Sequence, residues 1–98
     1  MKFQQLLYVR EVARSSLNVS QASKNLYTSQ PGISKQIKLL EEELGIELFE
    51  RSGKHLVAIT PIGKRILEQI EEILALVDGI KHAATEFSNE DYGSLAIA

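Results

Sequence analysis

Cysteine is absent from this 98-residue chain, which excludes disulfides and thiolate-held metal sites. His55 and His82 are the only histidines, so no metal and no other cofactor is expected. No apolar run approaches the length of a membrane span, and Met1-Lys2-Phe3-Gln4-Gln5 lacks the apolar core of a signal peptide. The expectation is a soluble cytoplasmic protein with no membrane partner. A Ser/His/Asp constellation, paired carboxylates and a phosphate-cradling loop are all missing, so an enzyme is not expected. What remains is an ordinary globular composition, 44% apolar and 24% charged, sized for one domain with a thin core. Area buried against a partner would add to that core.

The net charge of -2 conceals an uneven distribution. Residues 1–60 hold eight Lys/Arg against six Asp/Glu, a net of +2; residues 61–98 hold three against seven, a net of -4. No acid lies between Glu11 and Glu41, while Arg14, Lys24, Lys35 and Lys38 all do. An exclusively positive stretch of this kind suits a phosphate backbone.

Along the chain, Phe3, Leu6, Val9 and Ala13 mark the apolar stripe of a first helix, which Ser15-Ser16 interrupts. A second helix spans about Val19 to Leu26, with Asn18 or Ser20 as its cap. Tyr27-Thr28-Ser29 reads as a tight connection. Pro31 is tolerated only in a first helical turn, which starts a third helix at Ser29 or Gln30. Gly45 follows Leu44 as its C-terminal exit. Two helices joined by about three residues form a helix-turn-helix, here over 19–38. Two short β-prone runs around Ser52-Gly53-Lys54-His55 then predict a hairpin, the wing. Thr60-Pro61 opens a long helix to about Phe87. Ile66, Ile70, Ile73, Val77, Ile80 and Ala84 recur at spacings of four and three, a heptad seam backed by Leu67 and Leu74 that predicts a homodimer. Gly79 within it is a candidate bend. Ser88 to Ser94 reads as a polar linker, and Leu95-Ala96-Ile97-Ala98 as the first residues of a strand belonging to a continuation of the protein. The expected fold is mainly α: a winged helix-turn-helix over 1–59, a linker helix over 60–88, and a hinge over 89–98.

The third helix carries the functional chemistry. At about 100° per residue, Ile33, Ile37, Leu40 and Leu44 share a buried stripe. Pro31, Lys35 and Lys38 fall on the far side, with Gln30 and Ser34 at its margin. An amide pairs with adenine, a lysine donates to guanine, a serine serves either, and a proline ring touches a thymine methyl. Gln30, Pro31, Ser34 and Lys35 are therefore candidate base readers in double-stranded DNA, and Lys38 a phosphate ligand. Ser29 caps the helix and is also placed for a phosphate. Arg51, Lys54 and His55 on the wing are expected at flanking phosphates or the minor groove. A protein-interaction module docking an acidic partner on the same basic face is the alternative.

These residues resemble the DNA-binding domain of the LysR-type transcriptional regulators over about residues 1–65. The resemblance rests on Ala22, Ser29-Gln30-Pro31, Ser34-Lys35-Gln36-Ile37, Leu40-Glu41, Glu43-Leu44-Gly45, Leu48-Phe49-Glu50-Arg51 and Thr60-Pro61-Ile62-Gly63. Within that family, Leu17 to Ser20, Leu26 to Gln36 and Arg51 to Leu56 are similar to the CysB subgroup, regulators of cysteine biosynthesis and sulfur assimilation. The resemblance implies DNA contacts at Gln30, Pro31, Ser34, Lys35 and Arg51. It also implies dimers with antiparallel linker helices, tetramers of the full-length protein, promoter sites of imperfect dyad symmetry, and a C-terminal domain sensing a small-molecule inducer, an acetylserine or a sulfur anion in that subgroup. Two positions depart from the family pattern. Lys35 stands where arginine is usual, losing the rigid fork, and Ser23 replaces the second residue of an Ala-Ala pair.

Overall fold

The computed structural model describes residues 1–97, with side chains through Ser88. Its elements are α1 (Phe3–Arg14), α2 (Val19–Leu26), α3 (Gln30–Leu44), β1 (Phe49–Ser52), β2 (His55–Ile59) and α4 (Pro61–Ile97). This is a winged helix-turn-helix continued by a long helix.

Short polar side chains set the helix starts. The Asn18 side chain accepts from the Gln21 N–H, so Asn18 rather than Ser20 caps α2. Ser29 caps α3 by accepting from the Gly32 N–H at 3.1 Å, with Pro31 in the first turn. Gly45 ends that helix in the left-handed conformation, φ 70°. Tyr27 ends α2 the same way, at φ 54°, despite its side chain. With Tyr27 left-handed, the chain reverses and brings α3 back across α2.

The core forms where α1, α2, α3 and the start of α4 meet. Leu6, Tyr8, Val9 and Val12 from α1 pack with Ala22, Ile33, Ile37 and Leu40. Leu48, Phe49, Ile70 and Leu74 complete it. Ser23 is buried and its hydroxyl donates to the Ser20 carbonyl, so the departure from the Ala-Ala pair satisfies its own polar atom. Three expected stripe members fall outside the core. Phe3 in the first turn of α1 and Leu44 in the last turn of α3 are exposed, and Ala13 is half-buried. Glu41 takes the buried place instead.

β1 and β2 pair antiparallel from Phe49↔Ile59 to Ser52↔His55, with a register shift after Glu50 that leaves Val57 unpaired. The two-residue turn is Gly53-Lys54, and Gly53 alone has a positive φ, 61°, the pattern of a type II′ turn.

α4 corrects two expectations. First, it runs unbroken through Gly79 to Ile97, where a linker and a nascent strand were expected. Residues 88–97 hold no proline and one glycine, so nothing removes an i→i−4 donor, and a four-residue strand lacks a partner. Ala98 lies outside the described residues. Second, part of the expected dimer seam lies in the chain's own core. Ile70 is buried in the chain's own core with Leu74, while Ile66 and Val77 are half-buried. Ile73, Ile80 and Ala84 remain exposed, joined by Leu76 and Phe87, which the sequence reading did not include. The apolar arc of α4 spans about 200° at 100° per residue. One edge (Leu67, Ile70, Leu74) covers the core. The other (Ile73, Leu76, Ile80, Ala83, Phe87) repeats at 3, 4, 3 and 4 residues and faces outward.

Candidate nucleic-acid interface

α3 lies with Ile33, Ile37 and Leu40 buried and its opposite flank open. Ser29, Gln30, Pro31, Ser34, Lys35 and Lys38 are all exposed along it, as the helical spacing requires. The Ser29 hydroxyl is engaged by the Gly32 N–H, so it holds the helix start while facing solvent. Half-buried Gln36 turns inward and accepts from Gln5 on α1 at 3.2 Å, which fixes the rotation of α3 about its own axis. Lys24 is a solvated lysine on α2.

The wing runs alongside this flank. Ser34, Lys38, Gly53, Lys54 and Leu56 line one cleft between α3 and the hairpin. A second cleft, about 620 Å³, lies between the start of α2, the start of α3 and the hairpin turn. Gln30, Ser34, Lys54 and His55 line it, facing Asn18 and Ser20. An open trough thus has amide and hydroxyl groups on its floor and the Lys54 ammonium beside the His55 imidazole on one wall. The N-terminal N–H groups of α2 and α3 open beside it, adding positive dipole ends. Its size and sign suit a ridge of sugar and phosphate crossing between helix and wing.

All nine expected contact residues are exposed, and Arg51 lines the cleft beneath the wing with Ser34, Lys38 and Lys54. Arg51 differs from the others in already having an acid partner. Its guanidinium folds back onto Glu41, Nη2 to Oε1 at 2.6 Å and Nη1 to Oε2 at 3.3 Å. Glu41 was missed as a working residue, although its helical angle places it beside the buried stripe. A carboxylate there calls for a cation, and Arg51 is the next one along the chain.

Residues 3–64 match the family model of bacterial regulatory helix-turn-helix proteins, lysR family. This chain belongs to that family. Among its lysR relatives, the transcriptional regulator CysB of Haemophilus influenzae is 51% identical over the whole chain, which covers 30% of that protein. The regulator SsuR of Burkholderia cenocepacia is 44% identical, again over the whole chain and 32% of that protein. The chain thus spans about a third of the length of these curated relatives. Among solved structures, a BenM_DBD/benA site 1 DNA complex superposes with a TM-score of 0.80 at 31% identity, over 90% of this chain and 97% of that one. A CbnR_DBD–DNA complex gives 0.74 at 38% identity, over 87% and 98%. These relatives are regulators rather than enzymes. Among the described residues, no helix is long and apolar enough to cross a membrane.

Proposed function

We propose that this chain is the promoter-reading part of a cytoplasmic transcription regulator, binding double-stranded DNA with α3 in the major groove and the wing beside it. The observation that carries this is the open flank of α3, where Gln30, Pro31, Ser34 and Lys35 stand free while the aliphatic side is buried. The amide and the lysine discriminate bases, each good pair worth roughly 1–3 kcal/mol. Lys38, Lys54 and His55 hold the backbone on either side, with Ser29 at the helix start. Two solved relatives of the same fold are DNA complexes by title, which supports the reading.

The DNA-binding unit is a homodimer. Ile73, Leu76, Ile80 and Phe87 expose a row of large apolar groups on α4. Met1, Leu44, Ile66 and Ile73 line an apolar hollow at its near end. A second copy of the same helix, packed antiparallel, covers that face and sets two copies of α3 along one duplex. Similarity to CysB and SsuR supports control of sulfur assimilation or cysteine biosynthesis genes, with a small-molecule inducer sensed outside these residues and a tetramer for the longer protein.

Fluorescence anisotropy with a random duplex at low salt tests the core of the reading. Binding at micromolar protein or below, weakening steeply as salt rises, is expected. Failure to bind any duplex would leave the basic face to an acidic protein partner.

A further inference from the structure

Glu41 lies on α3 in line with Gln30 and Ser34, yet it is only 6% exposed. A carboxylate taken out of water needs donors, and this one has four. Oε2 accepts from the Leu48 N–H at 2.7 Å, the Phe49 N–H at 3.4 Å and Arg51 Nη1; Oε1 accepts from Arg51 Nη2. Arg51 Nη1 also reaches the Phe49 carbonyl at 3.4 Å. Every donor belongs to β1 or to the residue before it. One side chain of the base-reading helix therefore grips the root of the wing.

The wing has little stiffness of its own. It is two short strands with a register shift between Glu50 and Arg51, at the gripped position itself. Isolated hairpins of this size are marginal in water. The far end of the hairpin carries Lys54 and His55 over Gln30 and Ser34. Where those two side chains stand is thus set from the other end, by the pairing of Glu41 with Arg51. Both terminal nitrogens of the Arg51 fork are taken up by Glu41, while the side chain, 34% exposed, still borders the cleft beneath the wing.

The geometry points to a clasp: Glu41 and Arg51 are positioning residues that set the wing against the reading flank, and Arg51 acts through Glu41 rather than on DNA. This rests on the DNA-binding reading above. It assigns the wing arginine a different task from the direct contact that the family resemblance implies.

The test uses the 98-residue chain and its variants Glu41→Gln, Arg51→Lys and Lys54→Ala, titrated onto random duplex by anisotropy over a range of salt, with thermal melts as a fold control. Glu41→Gln removes an acid, so simple repulsion would make it bind more tightly. The clasp requires weaker binding, roughly threefold, the scale of one phosphate contact. Arg51→Lys keeps the charge but not the two-pronged fork, and binds as weakly as Glu41→Gln. Adding Lys54→Ala to either then costs less than it does alone, because Lys54 is already displaced. If Arg51→Lys binds as well as the parent, Glu41→Gln binds equally or better, and Lys54→Ala adds its full effect, Arg51 is a direct ligand and the clasp is overturned. Should Glu41→Gln melt, Arg51→Lys and its combination with Lys54→Ala decide alone. A parent chain that binds no duplex overturns the DNA reading itself, an outcome visible before any variant is measured.

Discussion

Gly63 and Leu48 are in direct backbone contact: a methyl group on Gly63 would overlap the carbonyl oxygen of Leu48. That same carbonyl accepts from the Thr60 N–H at 3.0 Å. Thr60 Oγ1 accepts from the Gly63 N–H at 2.9 Å and donates to the Glu47 carbonyl at 2.6 Å. The first turn of α4 is thereby joined to the two residues that lead into β1. Because the obstacle is backbone, it cannot swing aside. Gly63→Ala is expected to destabilise the chain by about 1–3 kcal/mol in urea unfolding. An unchanged midpoint would show that the joint is looser than described.

Lys38 is exposed on α3 beyond the proposed base-reading positions and borders the cleft beneath the wing. A phosphate ligand there contributes to every sequence alike. Lys38→Ala is expected to weaken specific and random duplexes by the same factor and to flatten the log–log salt dependence by about 0.9. A loss confined to one sequence would make Lys38 a base reader.

Opposite edges of α4 separate folding from pairing. Leu76 and Ile80 are each 70% exposed, whereas Ile70 is 2% exposed in the core. The double variant Leu76→Glu/Ile80→Glu is expected to keep the parent's helical signal and sediment as a monomer, with dyad DNA bound far more weakly. Ile70→Ala is expected to lose about 2–5 kcal/mol of stability. Truncation at Thr60 is a poor test of pairing, because it also strips Ile70 and Leu74 from the core. A dimeric double-glutamate variant would refute the proposed face.

Gly79 sits inside α4 with nothing near the place its Cβ would occupy. Gly79→Ala therefore gains helix propensity without a clash, and is expected to stabilise by about 0.5–1 kcal/mol. A destabilised variant would mean that something packs against Gly79 in the paired state.

The sequence made the helix-turn-helix legible because its signals are local. Asn18, Ser29, Pro31 and Gly45 mark ends by backbone chemistry that tertiary contacts rarely override. The reading flank of α3 followed from the same periodicity. What escaped was decided by contacts between elements. A seven-residue repeat on α4 says that a helix is apolar over a wide arc, but not which edge its own core takes; the core took Ile70 and Leu74. The pairing of Arg51 with Glu41 was hidden for a similar reason. Ten residues separate the two in sequence, and only the fold brings them to within 2.6 Å.

Selection of duplexes from a random pool puts the central claim to the most direct test. If the chain pairs as proposed, it is expected to enrich a motif of two related half-sites, and Gln30→Ala to relax one base position in each half while leaving the others intact. An enriched motif that Gln30→Ala leaves unchanged, or no enrichment at all, would contradict base reading by the open flank of α3.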